Sequence, residues 1–160
     1  TRNKRVGVIG TVGTIDSGAY EHAVGAADAS VSLVSAACPG LVEFVERGQT
    51  SGAEVTLLAQ RLLAPIVDAG VDSLLLGCTH YPYLARGISE VMGPDVVLVS
   101  SGDETAFAVK EMLEVAELQE DTSRVGEHFF YSSGDPEWFA HLGRRLFGPE
   151  LSDAQSWIVK

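Results

Sequence analysis

Cysteine is scarce in this chain of 160 residues, which holds only two, Cys38 and Cys78. That number excludes the disulfide-dense scaffold of small secreted domains. Two thiols are also too few for a structural zinc site without histidine ligands, and the four histidines show no ligand-like spacing to them. We therefore predict no metal site and a reducing compartment, the cytoplasm.

Basic residues are also few, because 11 Lys and Arg stand against 22 Asp and Glu, for a formal net charge of −11. Nucleic-acid affinity comes mainly from basic side chains that neutralise phosphates, so we predict no nucleic-acid surface. No apolar run approaches the roughly 20 residues that cross a bilayer, so we predict no membrane span. The chain opens at Thr1 without a signal-peptide pattern, and its first residues resemble a linker within a longer protein.

Apolar β-branched runs alternate with helical patterns along the chain. This alternation predicts an α/β fold with a mainly parallel open sheet flanked by helices. Predicted strands cover residues 5–10, 31–37, 71–76, 95–99 and 127–131, and predicted helices cover 17–27, 41–47, 51–68, 82–92, 100–118 and 136–147. Ser17 and Asp135 are the predicted N-caps, Pro65 is expected to kink or end its helix, and 11–14 and 117–126 are expected loops. A domain boundary is predicted near residue 100.

The segment with the most chemistry is the heptapeptide LGCTHYP at 76–82, directly after an apolar predicted strand. In open α/β sheets, ligands bind in the crevice beyond the carboxyl ends of the strands. Cys78 is either a small buried hydrophobe or a functional thiol, and a helix starting at Pro82 would place its positive end nearby. His80 is either structural or an acid/base partner of Cys78. The two side chains share one face if the backbone stays extended.

Two threonines, Thr11 and Thr14, follow the first predicted strand. An ordinary turn is one interpretation of this segment, and the other is a cradle of hydroxyl and N–H groups for a carboxylate. The second interpretation gains support because the segment lies at the same predicted sheet edge as Cys78. Glu46, near the end of a short predicted helix, carries no signal by its position alone. We interpret Cys38, which precedes Pro39, as structural.

These residues resemble those of glutamate racemases, and the similarity runs in order along nearly the whole chain. The heptapeptide at 76–82 is similar to the second catalytic motif of that family. The other matching segments are 7–14 (GVIGTVGT) with Ser17 and Tyr20, 38–48 (Cys-Pro to VERG) and 130–136 (FYSSGDP). The family's first cysteine motif, Ala-Cys-Asn-Thr/Ser, and its Asp-Ser pair are absent. By the resemblance, the chain is a C-terminal portion that lacks about the first hundred residues, roughly one domain's length.

The resemblance implies cofactor-independent interconversion of L- and D-glutamate, which supplies D-glutamate for peptidoglycan. In that reaction two cysteine thiols face opposite sides of the substrate α-carbon. The resemblance implies that Cys78 is the thiol working on L-glutamate. It further implies catalytic roles for His80 and Glu46, and substrate contacts for Thr11, Thr14, Thr79 and His80.

The same resemblance implies one complete racemase lobe at 1–100 and, at 101–160, the C-terminal return into the other lobe. Because inversion needs an acid/base group on each face of the α-carbon, we expect the isolated chain to be inactive. Three alternatives stay open: an aspartate or hydantoin racemase, a one-cysteine decarboxylase, and a non-catalytic truncated binding module. The expected partner is a small molecule, L- or D-glutamate, and a homodimer is one option for assembly.

Overall fold

Four parallel strands form the central sheet of the computed structural model, which describes residues 1–120 and 125–158. The strands are β1 (Arg5–Gly10), β2 (Ser32–Ala37), β3 (Ser73–Leu76) and β4 (Val97–Ser100). Their order in the sheet is β2-β1-β3-β4, and each neighbouring pair is parallel. The predicted α/β class with a mainly parallel sheet is confirmed. Three of the strands begin one or two residues later than predicted, since their first apolar residue lies outside the ladder.

Helices connect these strands. They are α1 (Val12–Asp16), α2 (Ala19–Ala27), α3 (Leu41–Glu46), α4 (Ala53–Asp68), α5 (Ala85–Met92) and α6 (Ser101–Val115), with a 3-10 turn at Tyr81–Leu84 before α5. The apolar stripe predicted for α4 is buried at Val55, Ala59, Leu63 and Ile66. Pro65 lies inside α4 and does not end it, since the helix continues to Asp68. Together with Val8, Ile9 and Leu74 of the sheet, which are fully buried, this stripe belongs to the core.

The segment after β1 is where the prediction of local structure was wrong. Residues 11–14 are not a loop, because Thr11 caps a short helix through a hydrogen bond from the Thr14 N–H to its Oγ1. Ser17 is not an N-cap but ends α1, and Gly18 with φ 64° precedes α2. The left-handed backbone at Gly18 separates α1 from α2. The sequence pattern had instead predicted a loop at 11–14 followed by a single helix.

The chain divides into two compact units, Thr1–Met112 and Leu113–Lys160. In the second unit, β5 (Tyr131–Ser132) and β6 (Gln155–Ser156) pair in parallel around α7 (Pro136–Leu146). Asp135 caps α7 as predicted, accepting hydrogen bonds from two backbone N–H groups. The strand predicted at 127–131 was misplaced, because pairing begins only at Tyr131, and β6 was not predicted. The predicted loop at 117–126 includes residues 121–124, which lie outside the described residues. The predicted lobe boundary near 100 stays a prediction.

Candidate active site

The first unit has a topological switch point between β1 and β3. From β1, the chain continues to β2 on one side, and β3 then pairs on the other. The Gly77 N–H donates to the Ile9 carbonyl at 2.8 Å, and the Cys38 N–H donates to the Gly10 carbonyl at 2.9 Å. The segments that start at Thr11, Cys38 and Cys78 therefore leave the sheet at one edge. In parallel α/β sheets the crevice at such a point is where ligands bind.

A thiol, an imidazole and a carboxylate lie in series at this edge. Cys78 Sγ is 4.0 Å from His80 Nδ1, the long end of a sulfur hydrogen bond, and Thr79 Oγ1 is 3.4 Å from the same nitrogen. On the other side of the ring, His80 Nε2 is 3.6 Å from Glu46 Oε1. The structure thus brings together four predicted site residues from two separate segments. The contact with His80 singles out Glu46 as a candidate site residue, which its position in the sequence alone did not do.

The route by which Cys78 meets His80 differs from the prediction. The backbone is not extended at 78–80, since Tyr81 N–H donates to the Cys78 carbonyl at 3.2 Å and His80 is in the αR region. A turn, and not strand alternation, brings the two side chains together. No α-helix begins at Pro82, because the 3-10 turn Tyr81–Leu84 comes first and α5 begins at Ala85. The expected helix dipole beside Cys78 is therefore absent from this site.

The His80–Glu46 contact is partly solvated. The side chains are 27% and 42% exposed, respectively. Even a charged contact between side chains this exposed contributes only about 0–1 kcal/mol to stability. Its structural consequence is orientation, because a carboxylate at Nε2 directs the opposite nitrogen, Nδ1, toward Thr79 and Cys78.

The two predicted threonines form a hydroxyl pair. Thr11 Oγ1 and Thr14 Oγ1 are 2.9 Å apart, and both residues are partly exposed. Thr11 also begins the segment after β1, the strand that is paired with β3. The pair consequently lies at the start of α1, directly after the strand that pairs with β3, and it presents hydroxyl groups at the same edge of the sheet as Cys78.

The two cysteines have different surroundings. Cys38 is 1% exposed, and burial raises the pKa of its thiol to about 12. Its Sγ donates to the Ala36 carbonyl at 3.7 Å. Cys78 is partly exposed. Cys78 is therefore the more accessible of the two cysteines, and burial also disfavours the reactive thiolate form at Cys38.

Two tyrosines at this edge were not predicted as site residues. Tyr81 is fully buried, and its Oη donates to the Cys38 carbonyl at 3.1 Å, which joins the segments that follow β2 and β3. Tyr20 lies against Gly77, the residue before Cys78. The spacing of residues in the sequence does not predict either contact, since Tyr81 and Cys38, like Tyr20 and Gly77, are far apart in the chain.

Cavities lie both beside the switch point and away from it. One of about 310 Å³ includes Thr11 and Cys38 and is completed by Val12, Pro39, Gly40, Val42 and Glu43. A larger one, of about 670 Å³, lies along α4 between Glu54 and Arg61 and contains no predicted site residue. The chemistry of the side chains, and not cavity size, identifies the site.

Within residues 1–120 and 125–158, no three His, Cys, Asp or Glu side chains are grouped as a metal site. No helix in that part of the chain has the length and apolar character to cross a membrane.

This fold and this edge define a class: an α/β protein with a thiol, an imidazole and a carboxylate at the switch point of a parallel sheet. The profile of the Asp/Glu/hydantoin racemase family matches residues 1–109, and the chain belongs to this family.

Named relatives agree with the family. A glutamate racemase of Acidothermus cellulolyticus is 52% identical over 152 residues, which is 94% of this chain and 57% of that protein. A glutamate racemase isoform from Bacillus anthracis superposes with a TM-score of 0.87 at 35% identity, covering 100% of this chain and 59% of that one. The Francisella tularensis glutamate racemase, solved in complex with D-glutamate, has a TM-score of 0.83 at 29% identity over 98% and 58%. The chain thus spans about 57% of its curated relative's length.

Proposed function

We propose that this chain carries one of the two acid/base thiols of a glutamate racemase, and that Cys78 is that thiol. The observation that carries the proposal is the series Cys78–His80–Glu46 at the switch point, with distances of 4.0 and 3.6 Å. The similarity to glutamate racemases supplies the substrate, and one structural neighbour was solved with D-glutamate.

The proposed step removes a proton from the substrate α-carbon. The Cys78 thiolate takes the α-proton of L-glutamate, so an S–H bond forms as the Cα–H bond breaks and the electron pair stays on a carbanion-like centre. A thiol on the opposite face then gives a proton to that centre, which yields D-glutamate. No cofactor takes part. The α-proton is weakly acidic, so the reaction requires hydrogen-bond donors that stabilise the developing charge.

The surrounding side chains have separate roles in this proposal. Thr79 and His80 bind the substrate beside Cys78, and His80 exchanges protons with the thiol or the substrate carboxylate. Glu46 holds the His80 ring through Nε2. Thr11 and Thr14 offer hydroxyl groups to a substrate carboxylate. These roles are supported by hydrogen-bonding groups that lie at the same edge of the sheet and by the resemblance to glutamate racemases.

The second thiol of the reaction is not Cys38 in this proposal. Cys38 is buried and its pKa is raised to about 12, so it neither accepts a proton near neutral pH nor reaches a substrate. The 160 residues contain no third cysteine. We therefore propose that the isolated chain does not interconvert the glutamate enantiomers.

A chimera tests the proposal directly. The part of the Acidothermus racemase that this chain does not match is fused to this chain, and D-glutamate formation from L-glutamate is followed by chiral chromatography. We expect turnover by the chimera, none by the isolated chain, and loss of turnover in the Cys78→Ala chimera. Cys38→Ala in the same chimera is the matched control and should retain activity. Turnover that survives Cys78→Ala, or robust turnover by the isolated chain, would refute the corresponding part of the proposal.

The family profile also includes aspartate and hydantoin racemases, so the chimera should be tested on these substrates. The His-Tyr-Pro run at 80–82 favours glutamate. Faster turnover of aspartate or of a hydantoin would change the substrate assignment. Carbon dioxide release would indicate a decarboxylase, and binding without turnover would indicate a non-catalytic module.

We further propose that a racemase containing this chain supplies D-glutamate for peptidoglycan in the cytoplasm. Growth of a D-glutamate auxotroph that expresses the chimera, without added D-glutamate, tests this role. A Cys78→Ala chimera is the control, and failure of the active chimera to support growth would contradict it. Homodimer formation, the assembly left open by the sequence, is measured by sedimentation of the same protein.

A further inference from the structure

Gly77, the residue before Cys78, has no room for a side chain. A methyl group on its Cα would lie 2.9 Å from the Ile9 carbonyl oxygen, 3.0 Å from Tyr20 Cε2 and 3.1 Å from Tyr20 Oη. All three distances are shorter than ordinary van der Waals contact for carbon. Tyr20 Cε2 and Oη, together with the Ile9 carbonyl, therefore border the position that a side chain at residue 77 would occupy.

Two different elements thus hold the backbone that leads into Cys78. The Gly77 N–H donates to the Ile9 carbonyl of β1 at 2.8 Å. The side chain of Tyr20, in the first turn of α2, lies beside the same residue. Tyr20 arrives there because Gly18, with φ 64°, turns the chain between α1 and α2. The His22 ring nitrogen Nδ1 lies within hydrogen-bond distance of the Gly18 carbonyl in that turn, at 2.7 Å.

We propose that Tyr20 is the positioning residue for Cys78. Its ring clamps the Gly77 backbone against β1, and this contact sets the direction in which the Cys78 thiol enters the switch-point crevice. The catalytic consequence rests on the function proposed above, whereas the positioning itself does not. Cys78 follows a glycine, which has no side chain to restrict its backbone. Without the Tyr20 ring, the backbone at 77–78 would therefore gain conformational freedom. A displacement of 1 Å at a reacting group can lower a rate by about a hundredfold.

Thiol alkylation of the 160-residue chain measures this positioning without requiring racemase activity. Iodoacetamide rate constants at Cys78 and Cys38 are read separately by mass spectrometry of tryptic peptides. Cys38 is the internal control, since it is buried and reacts only when the unit opens. We expect Tyr20→Ala to raise the Cys78 rate by on the order of tenfold, and Tyr20→Phe to keep it within about twofold. The Cys38 rate should not change in either variant.

Tyr83→Ala is the matched control. Tyr83 is closer to Cys78 in sequence but is 40% exposed and does not contact Gly77 in the manner of Tyr20. A Cys78 rate in Tyr20→Ala that equals the rate in this control would overturn the proposal. A parallel rise at Cys38 and Cys78 would also overturn it, because that pattern reports general opening. If Tyr20→Ala does not fold, Tyr20→Leu replaces it, with the same expected and refuting outcomes.

A double variant tests the contact itself. In Gly77→Ala the new methyl group collides with the Tyr20 ring, and in Gly77→Ala with Tyr20→Ala only the Ile9 collision remains. We expect the double variant to be less destabilised than the sum of the single variants. Additive effects would contradict the clamp. In the active chimera, Tyr20→Ala should lower kcat more than it changes KM. A chimera without racemase activity would refute the proposed function and leave the alkylation result to decide the clamp.

Discussion

Tyr81 is the buried link between the two segments that leave the sheet after β2 and β3. It is 0% exposed, and its Oη donates to the Cys38 carbonyl at 3.1 Å. Burial raises the pKa of the Tyr81 phenol above its usual value, with smaller contributions from Cys38, Cys78 and Glu43. The hydroxyl therefore stays protonated and remains a donor well above neutral pH.

Tyr81→Phe removes this hydroxyl and keeps the ring. Because the buried Cys38 carbonyl loses its side-chain donor, we expect the free energy of unfolding to fall by about 1–3 kcal/mol. For a chain of this size, each kcal/mol corresponds to about 2–4 °C in Tm. The variant should therefore unfold several degrees below the parent.

Tyr83→Phe is the matched control, because it makes the same substitution in the same 3-10 turn at a residue that is 40% exposed. A surface change of this kind stays within about 0.5 kcal/mol. Urea unfolding followed by circular dichroism compares the three proteins. Equal losses in the two variants, or a loss below about 0.5 kcal/mol in Tyr81→Phe, would refute the conclusion that this hydrogen bond carries the difference.

Three further predictions follow from burial and packing. Ellman's reagent should modify one thiol of the native chain, Cys78, and both after denaturation; rapid modification of two native thiols would contradict the burial of Cys38. Stability should fall as pH rises from about 9 toward 12, because the unfolded chain ionises Cys38 while the folded chain keeps it protonated. Urea unfolding at a series of pH values in this range should show the free energy of unfolding of Cys38→Ala falling by about 1.4 kcal/mol less per pH unit than that of the parent. Equal slopes for the two proteins would exclude this linkage. Gly143→Ala should cost about 1–3 kcal/mol, since its methyl group would collide with the Leu151 side chain. Gly126→Ala, in open space, should cost much less, and equal costs would contradict this packing.

Much of the sheet was predictable because a strand that is buried on both faces has a locally apolar sequence. The runs at 6–9 and 74–76 are apolar on both faces, as strands covered on both sides by helices require. The spacing of Val55, Ala59, Leu63 and Ile66 likewise specifies the buried face of α4. Short elements were predicted poorly. The five residues of α1 and the two of β6 are too few to show a period.

The candidate site was predictable only in part. Cys78, Thr79 and His80 are adjacent in the chain, and their position after an apolar strand indicates a crevice. A shared face for Cys78 and His80 was expected only with an extended backbone, whereas the structure brings them together through a turn with a hydrogen bond from Tyr81 N–H to the Cys78 carbonyl. Glu46 had no signal of its own beyond the family resemblance. Its meeting with His80 requires α3 to lie beside the turn after β3.

The sequence by itself determined the fold class, the cysteine at the end of an apolar strand and the family resemblance, because hydrophobic period and adjacent residue types are local properties. Tertiary structure decided which thiol is accessible, which carboxylate meets His80 and why residue 77 must be glycine. Those outcomes depend on the order β2-β1-β3-β4, which brings segments distant in sequence to one edge. Tyr20 likewise comes to lie beside Gly77, the residue before Cys78, only in the folded chain, after the turn at Gly18 between α1 and α2.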